Sequence, residues 1–204
     1  HGRPDKMWTY QALRNGGYTG KIFLIADDLD ESRFEYKKIY GDELLIFDKN
    51  KSALKTEAGD NTGDLRSTVF ASNEIFDLAK EQGIKYFFNM CDDYISFYHN
   101  FIRNDIDNDY RWKKTRVKNL DKVMSVMLEF YKKTSITTLA MAQAGDFIGG
   151  EGGGNSDIKL LRKAMNTFLC STERPFKFIG RLNEDVTTYV NLGSKGKLFC
   201  TTTN

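Results

Sequence analysis

Apolar residues in the first half of the chain follow two spacings that alternate. Short apolar runs, such as 21–26, predict strands, and apolar positions three or four residues apart predict helices. In chain order the predicted elements are a helix over 5–13, a strand over 21–26, a helix over 31–40, a strand over 44–47, helices over 51–58 and 66–82, and a strand from Lys85. Asp5 is the predicted N-cap of the first helix, and Gly83 is predicted to end the last one.

The second half has longer polar stretches between its apolar segments. Residues 120–131 are strongly amphipathic and predict a helix, whereas 104–118 are charged and poorly periodic. The remaining predictions are strands over 94–101, 137–141, 167–170 and 197–201, helices over 158–164 and 184–191, and a glycine-rich loop over 144–155. The strand-helix-strand order predicts a single α/β domain, a Rossmann-like, mostly parallel sheet with helices on both faces.

Two adjacent carboxylates, Asp92 and Asp93, close the aromatic strand that starts at Lys85. Open α/β sheets present ligand-binding groups at the carboxyl ends of their strands. Neighbouring carboxylates repel each other, and a hard divalent ion such as Mg²⁺ or Mn²⁺ would neutralise them and carry a phosphate-bearing substrate. The alternative is a solvated acidic turn.

Composition narrows the class of protein. The 204 residues are 40% hydrophobic and 13% aromatic, which is enough for one buried core. A formal net charge of +2 excludes neither a nucleic acid nor a small-molecule substrate. The odd number of cysteines favours reduced thiols, and no apolar run approaches the roughly 20 residues of a membrane span. With no signal-peptide pattern, we expect a soluble cytoplasmic protein without a membrane partner.

Several short motifs occur along the chain in a fixed order. They are 9–14, 20–28, 46–49, 59–61, Arg66 and 91–94, followed more loosely by the glycine-rich loop and 183–185. This order resembles the TET/JBP-associated glycosyltransferases of phages and kinetoplastids. The resemblance implies a GT-A-like fold and a metal-dependent enzyme that moves a sugar from a nucleotide sugar, here expected to be a UDP-sugar, to hydroxymethylated pyrimidines in DNA. For a phage-encoded enzyme, the compartment is the host cytoplasm.

For the sugar donor, the resemblance implies that Asp93 holds Mn²⁺ or Mg²⁺ with Asp92 beside it. A divalent ion that bridges the two phosphates stabilises the charge that develops as the glycosidic bond breaks. Cys91 stands where the family has an acid, so Asp93 keeps the metal role and Cys91 is a thiolate ligand or, more commonly, a small buried thiol. The other predicted donor-binding residues are Arg3, Asp27, Asp28, Asp60, Arg66, Gly149 and Gly150.

Each of these residue types suits a nucleotide sugar. Asp27 and Asp28 follow the strand 21–26 and can accept hydrogen bonds from a nucleobase or a ribose hydroxyl. Arg3 and Arg66 offer guanidinium groups to phosphate oxygens, or are solvated charges. The six glycines of 145–154 let the backbone approach a sugar or close over it, or form a surface loop.

Residues 183–185, Asn-Glu-Asp, resemble the GT-A motif that supplies the general base. Asp185 is the first choice and Glu184 the second for taking the proton from the acceptor hydroxyl. The alternative is a helix start, where Asn183 caps the helix and the two acids complement its dipole.

A basic segment supports a DNA partner. Its five cations are Arg111, Lys113, Lys114, Arg116 and Lys118. They can follow a phosphate backbone while Trp112 stacks on an extruded base, or they form a solvated charged loop.

The resemblance also divides the chain into two functional halves. Residues 1–93 are expected to bind the nucleotide sugar and 94–204 the acceptor, and the sequence looks trimmed at both ends relative to the family. Two other functions stay open, a transferase for serine or threonine hydroxyls of proteins and a non-catalytic nucleotide-sugar or DNA-binding module. The sequence does not distinguish hydroxymethylcytosine from hydroxymethyluracil, one sugar from another, or retention from inversion.

Overall fold

A computed structural model describes residues 2–60, 62–103, 111–143, 158–160, 164 and 167–202. Its helices are α1 (Trp8–Asn15), α2 (Arg33–Tyr40), α3 (Lys49–Lys55), α4 (Val69–Glu81), α5 (Leu120–Lys133) and α6 (Glu184–Gly193). Its strands are β1 (Leu24–Asp27), β2 (Leu44–Phe47), β3 (Tyr86–Met90), β4 (Tyr98–Arg103), β5 (Arg111–Arg116), β6 (Thr138–Met141), β7 (Ile158–Leu160), β8 (Thr167–Ser171) and β9 (Phe199–Thr202).

The strands of the described residues form three sheets, and both parallel and antiparallel pairs occur among them. A five-stranded sheet has the order β3-β8-β6-β9-β7, and β1 with β2 and β4 with β5 form two-stranded sheets. The β1–β2 and β6–β9 pairs are parallel, whereas β3–β8, β6–β8, β7–β9 and β4–β5 are antiparallel. The α/β class is therefore confirmed, but the prediction of a mostly parallel sheet is wrong. A continuous apolar run marks a strand that is buried on both faces, which is typical of parallel sheets, but helices bury both faces of these antiparallel strands as well.

Apolar clusters lie on both faces of the five-stranded sheet. All five residues of β8 are buried, and successive side chains of a strand point to opposite faces. Phe168 and Cys170 accordingly join a cluster with the buried face of α4, whereas Leu169 packs in a second cluster with Met127 and Tyr131 of α5. Helices therefore cover both faces of this sheet, as the sequence predicts.

Most predicted elements are present, several with shifted ends. The prediction for β2 is confirmed at both ends, and Gly83, at a φ of 68°, follows α4 in the left-handed conformation that ends many helices. Asp5 is not the N-cap of α1, because Met7 occupies that position and 3–6 form a turn closed by the Lys6 N–H and the Arg3 carbonyl. The glycine-rich loop lies outside the described residues.

Two strands replace other predictions. Residues 158–160 form β7, which pairs with β9 at the sheet edge, so the predicted helix over 158–164 is wrong there. The poorly periodic segment contains β5, paired with β4 in a two-stranded ribbon. A charged ribbon lacks the apolar alternation that marks a half-buried strand, which explains why the sequence missed it.

Candidate functional site

A cavity of about 1040 Å³ runs along β3 and α4 and is bounded by α1, β1, α5 and the start of α6. Its lining includes most of the predicted site. The donor residues among them are Arg3, Asp27, Arg66, Asp92 and Asp93, and the two candidate bases, Glu184 and Asp185, lie on the same cavity. Asp28 and Asp60 are not among the lining residues, and Gly149 and Gly150 lie outside the described part of the chain.

The acidic turn, residues 91–94, follows β3 directly. Its two carboxylates, Asp92 and Asp93, have different surroundings. A guanidinium nitrogen of Arg3, Nη2, lies 3.2 Å from Asp92 Oδ2, so Asp92 already has a counter-charge. Asp93 is exposed, and no described residue hydrogen-bonds or ion-pairs with its carboxylate. The repulsion between the two acids is therefore relieved on the Asp92 side, and Asp93 is oriented to solvent.

The candidate metal-ligating side chains suit one kind of metal ion. Within the described ranges, no three His, Cys, Asp or Glu side chains are grouped to hold a metal. Mg²⁺ and Mn²⁺ sites in phosphate-binding proteins need only one or two carboxylates, since waters and substrate phosphates complete the coordination. A single exposed carboxylate at Asp93 fits such an ion and does not fit an ion that requires several protein ligands.

Thr9 at the start of α1 holds the backbone of the acidic turn. Its N–H donates to the Asp92 carbonyl at 3.1 Å and its hydroxyl to the Cys91 carbonyl at 2.6 Å, while the Tyr94 N–H donates to the hydroxyl oxygen at 2.8 Å. Thr9 is 82 positions from Cys91 in sequence and 6% exposed. Sequence reasoning assigned Thr9 no role, because no local pattern marks a contact at that separation.

Cys91 is a neutral thiol in this turn. Burial, followed by the negative charges of Asp93, Asp92, Glu184 and Asp185, raises the pKa of Cys91 to about 11. A thiolate is the form that binds metals, so an ion would have to displace the Cys91 proton before this thiol could coordinate it. Glu184 and Asp185 line the same cavity as Cys91, so the start of α6 and the acidic turn face a common space.

The two candidate bases differ in their partners. The Thr68 hydroxyl, just before α4, donates to Glu184 Oε1 at 2.7 Å, whereas no described residue hydrogen-bonds with the half-buried Asp185 carboxylate. Asn183 precedes them at a φ of 53° and makes no side-chain capping bond. Asn183 thus occupies the N-cap position and the two acids lie in the first turn of α6, where they complement its dipole, so the helix-start alternative is confirmed except for the side-chain bond. Asparagine adopts this left-handed backbone more readily than most residues.

Asp27 and Asp28 have different partners despite being adjacent. Asp27 Oδ2 lies 2.9 Å from Lys49 Nζ, and the two side chains are only 10% and 12% exposed. Asp28 Oδ1 accepts the Lys49 backbone N–H at 2.9 Å, at the first residue of α3. The structure thus brings Asp27 and Lys49 to the cavity and engages Asp28 in holding α3. Lys49 belongs to the motif 46–49 of the family resemblance, but nothing in the sequence indicated that its side chain pairs with Asp27.

Asp60 and Arg66 belong to an ionic cluster beside the cavity. Arg181, 14% exposed, lies 2.9 Å from Asp60 and 3.2 Å from Asp64, and the 91% exposed Arg66 lies 2.8 Å from Asp64. Arg66, with a smaller contribution from Arg181, holds the pKa of Asp64 well below its usual range, and the Thr62 hydroxyl and Arg181 lower the pKa of Asp60. The cluster stays ionised at neutral pH and fixes the segment that leads into α6.

Arg181→Ala is expected to lower the melting temperature by roughly 3–8 °C, because the substitution removes both ion pairs of a nearly buried guanidinium. Arg66→Ala is the matched control, since Arg66 pairs with one of the same acids from an exposed position. It is expected to lower the melting temperature by no more than roughly 2 °C. Differential scanning calorimetry checks both, and equal effects would contradict the assigned role of Arg181.

The β4–β5 ribbon carries the predicted basic segment. Arg111 and Lys113 lie in β5, and the side chains of Lys114, Arg116 and Lys118 are exposed. Tyr98 pairs with Arg116 across the ribbon, is 46% exposed, and has its pKa lowered by a hydrogen bond from that guanidinium. The ribbon therefore presents cations beside an aromatic ring.

An α/β fold whose cavity gathers acidic strand ends and cationic side chains is typical of enzymes that act on phosphorylated ligands. The chain matches the family model described as TET-Associated Glycosyltransferase over residues 1–204 and belongs to that family. It is therefore a glycosyltransferase, an enzyme that takes a nucleotide-sugar donor and an acceptor. No curated protein and no solved structure matches it. Among the described residues, no helix has the length and apolarity to cross a bilayer.

Proposed function

We propose that this glycosyltransferase moves a sugar from a UDP-sugar to the hydroxymethyl group of a modified pyrimidine in DNA, with Mn²⁺ or Mg²⁺. The observation that carries the proposal is the meeting of the acidic turn and the start of α6 on one cavity. The acidic turn supplies Asp93, a carboxylate suited to a phosphate-bound cation, and the start of α6 supplies Asp185 as a candidate base. A transferase needs both groups within reach of the same sugar carbon.

The donor half of the site consists of charges that match a nucleoside diphosphate. Asp93 would hold the divalent ion, which when bound supplies positive charge against the leaving diphosphate. Arg3 and Arg66 line the cavity and can contact phosphate oxygens, and the Asp27–Lys49 pair offers an acceptor and a donor to the base or the ribose. These residues orient the donor so that its anomeric carbon faces the start of α6.

The acceptor half removes one proton. In a direct displacement, Asp185 takes the proton of the acceptor hydroxymethyl group. The hydroxymethyl oxygen bonds to the anomeric carbon as the bond between that carbon and the diphosphate breaks. UDP leaves with the electron pair of the broken bond. Glu184, held by Thr68, is the less suited base because one of its oxygens already accepts a hydrogen bond.

A DNA base reaches such a cavity only after it leaves the helical stack. β4 begins four residues after Tyr94, the last residue of the acidic turn, and its first residue, Tyr98, pairs with Arg116 of β5. This pairing brings exposed cations of the ribbon towards the site, where they can bind the phosphates that flank an extruded base. The free thiols of the chain support a reducing compartment, and we place the enzyme in the cytoplasm, that of the host if a phage encodes it.

Reversal of charge on this ribbon tests the DNA contact. Lys114→Glu with Arg116→Glu is expected to weaken binding to duplex DNA at least about tenfold and to reduce the slope of log K against log salt by about 2. The control, Lys195→Glu with Lys197→Glu, makes the same change of charge at two exposed lysines outside the ribbon. Fluorescence anisotropy across a salt series measures both. Equal losses in the two double variants would contradict a specific role for the ribbon.

The acceptor class is tested by competition. Radiolabelled UDP-sugars are offered with DNA containing hydroxymethylcytosine, DNA containing hydroxymethyluracil, unmodified DNA, and a peptide rich in serine and threonine. We expect label only in the hydroxymethylated DNA. Label in the peptide alone would overturn the DNA acceptor and support the protein-directed alternative.

A further inference from the structure

We propose that Thr9 is a positioning residue that fixes the direction of the Asp93 carboxylate. The inference deepens the proposed function, and it rests on the role of Asp93 in holding the divalent ion. We assign Thr9 no contact with the donor or the acceptor. It acts only through the backbone of the acidic turn.

Three hydrogen bonds connect Thr9 to the residues on either side of Asp93. The Cys91 and Asp92 carbonyls are bound before Asp93 and the Tyr94 N–H after it. Asp93 is the residue of this turn that Thr9 leaves without a direct bond. The backbone is therefore fixed on both sides of a side chain that is exposed.

A threonine hydroxyl has the chemistry that this position needs. It donates one proton and accepts another hydrogen bond with the same oxygen, so one atom satisfies both the Cys91 carbonyl and the Tyr94 N–H. A valine of the same shape does neither and leaves two backbone polar groups unpaired. Because Thr9 is 6% exposed, water cannot readily replace its hydroxyl.

Two other contacts hold side chains of the acidic turn but do not fix its backbone. Arg3 cancels the charge of Asp92 from an exposed position, and the Tyr94 ring hydroxyl accepts a hydrogen bond from Thr167 of β8 at 2.9 Å. These contacts reach side chains and leave the peptide groups around Asp93 unbound. Thr9 is thus the contact in the described structure that sets the path of the backbone from Cys91 to Tyr94.

The test compares Thr9→Val with Thr9→Ser, which keeps the hydroxyl. Binding of Mn²⁺ in the presence of UDP is measured from the loss of the electron paramagnetic resonance signal of free Mn²⁺. Thr9→Val is expected to weaken Mn²⁺ binding at least about tenfold, the size typical for residues that orient metal ligands, and Thr9→Ser to restore it. If Thr9→Val fails to fold, Thr9→Ala carries the same expectation with a side chain that cannot clash.

Thr138→Val is the matched control for loss of stability. Thr138 is fully buried, and its hydroxyl donates to the Leu169 carbonyl at 2.9 Å in the core of the five-stranded sheet. It is expected to lower the melting temperature and leave Mn²⁺ binding unchanged. Wild-type Mn²⁺ binding in Thr9→Val, or equal weakening in Thr9→Val and Thr138→Val, would overturn the inference. If Asp93→Asn binds Mn²⁺ normally, the metal assignment itself fails, which is a separate result.

Discussion

Asp93→Ala is expected to reduce sugar transfer by roughly 10²–10³-fold or more, since it removes the carboxylate that we propose holds a divalent ion near the departing diphosphate. Asp93 is exposed on the cavity, and its carboxylate has no bonded partner among the described residues, so the substitution breaks no internal contact. We therefore expect the variant to fold normally and to lose the stimulation by Mn²⁺. Steady-state rates across a Mn²⁺ series measure this effect.

Asp121→Ala is the matched control for this loss. Asp121 lines the same cavity, but its carboxylate accepts hydrogen bonds from the Thr19 N–H at 2.9 Å and the Thr19 hydroxyl at 2.7 Å. We expect Asp121→Ala to retain most of the activity and the whole Mn²⁺ response. Asp93→Ala with intact metal-stimulated transfer would show that the ion binds elsewhere.

Asp185→Asn is expected to lower kcat by roughly 10²–10⁴-fold with little change in UDP binding, because the amide cannot take the acceptor proton. The size and shape of the side chain are kept, so the substitution tests the proton transfer and not the packing. UDP affinity from calorimetry and kcat from the same preparations separate the two steps.

Glu184→Gln is the internal comparison. Its amide oxygen can still accept the Thr68 hydroxyl, and we expect a loss of activity smaller than that of Asp185→Asn. If Glu184→Gln is the more damaging substitution, the base is Glu184, and the bond from Thr68 serves to orient it. If neither substitution affects kcat, the start of α6 takes no part in the proton transfer.

Local patterns predicted those parts of the fold that depend on local chemistry. The aromatic run of β3, the amphipathic face of α5 and the glycine after α4 are each recognisable within a few residues, and the structure contains all three. The order of motifs also indicated the family, which the match over the whole chain confirms. Acidic residues at strand ends and at the start of α6 were likewise visible as groups.

Sequence could not supply the partners of these groups. Thr9 reaches the acidic turn across 82 positions and Arg181 reaches Asp60 across 121, and such pairs depend on how the elements pack. The antiparallel pairing of β3 with β8 has the same origin. Adjacent residues also face different neighbours once the chain folds, so the sequence could not show that Asp27 meets the Lys49 side chain and Asp28 the Lys49 backbone.

The measurement that tests the central proposal most directly is mass spectrometry of nucleosides from DNA incubated with the protein and UDP-sugars. Hydroxymethylcytosine and hydroxymethyluracil DNA are each treated with Mn²⁺ and, in parallel, with a chelator. We expect one of the two hydroxymethylated nucleosides to gain the mass of one sugar with Mn²⁺ and none with the chelator. No gain on either DNA, from protein that binds UDP in a metal-dependent way, would contradict the DNA acceptor; a gain that survives chelation would contradict the metal assignment.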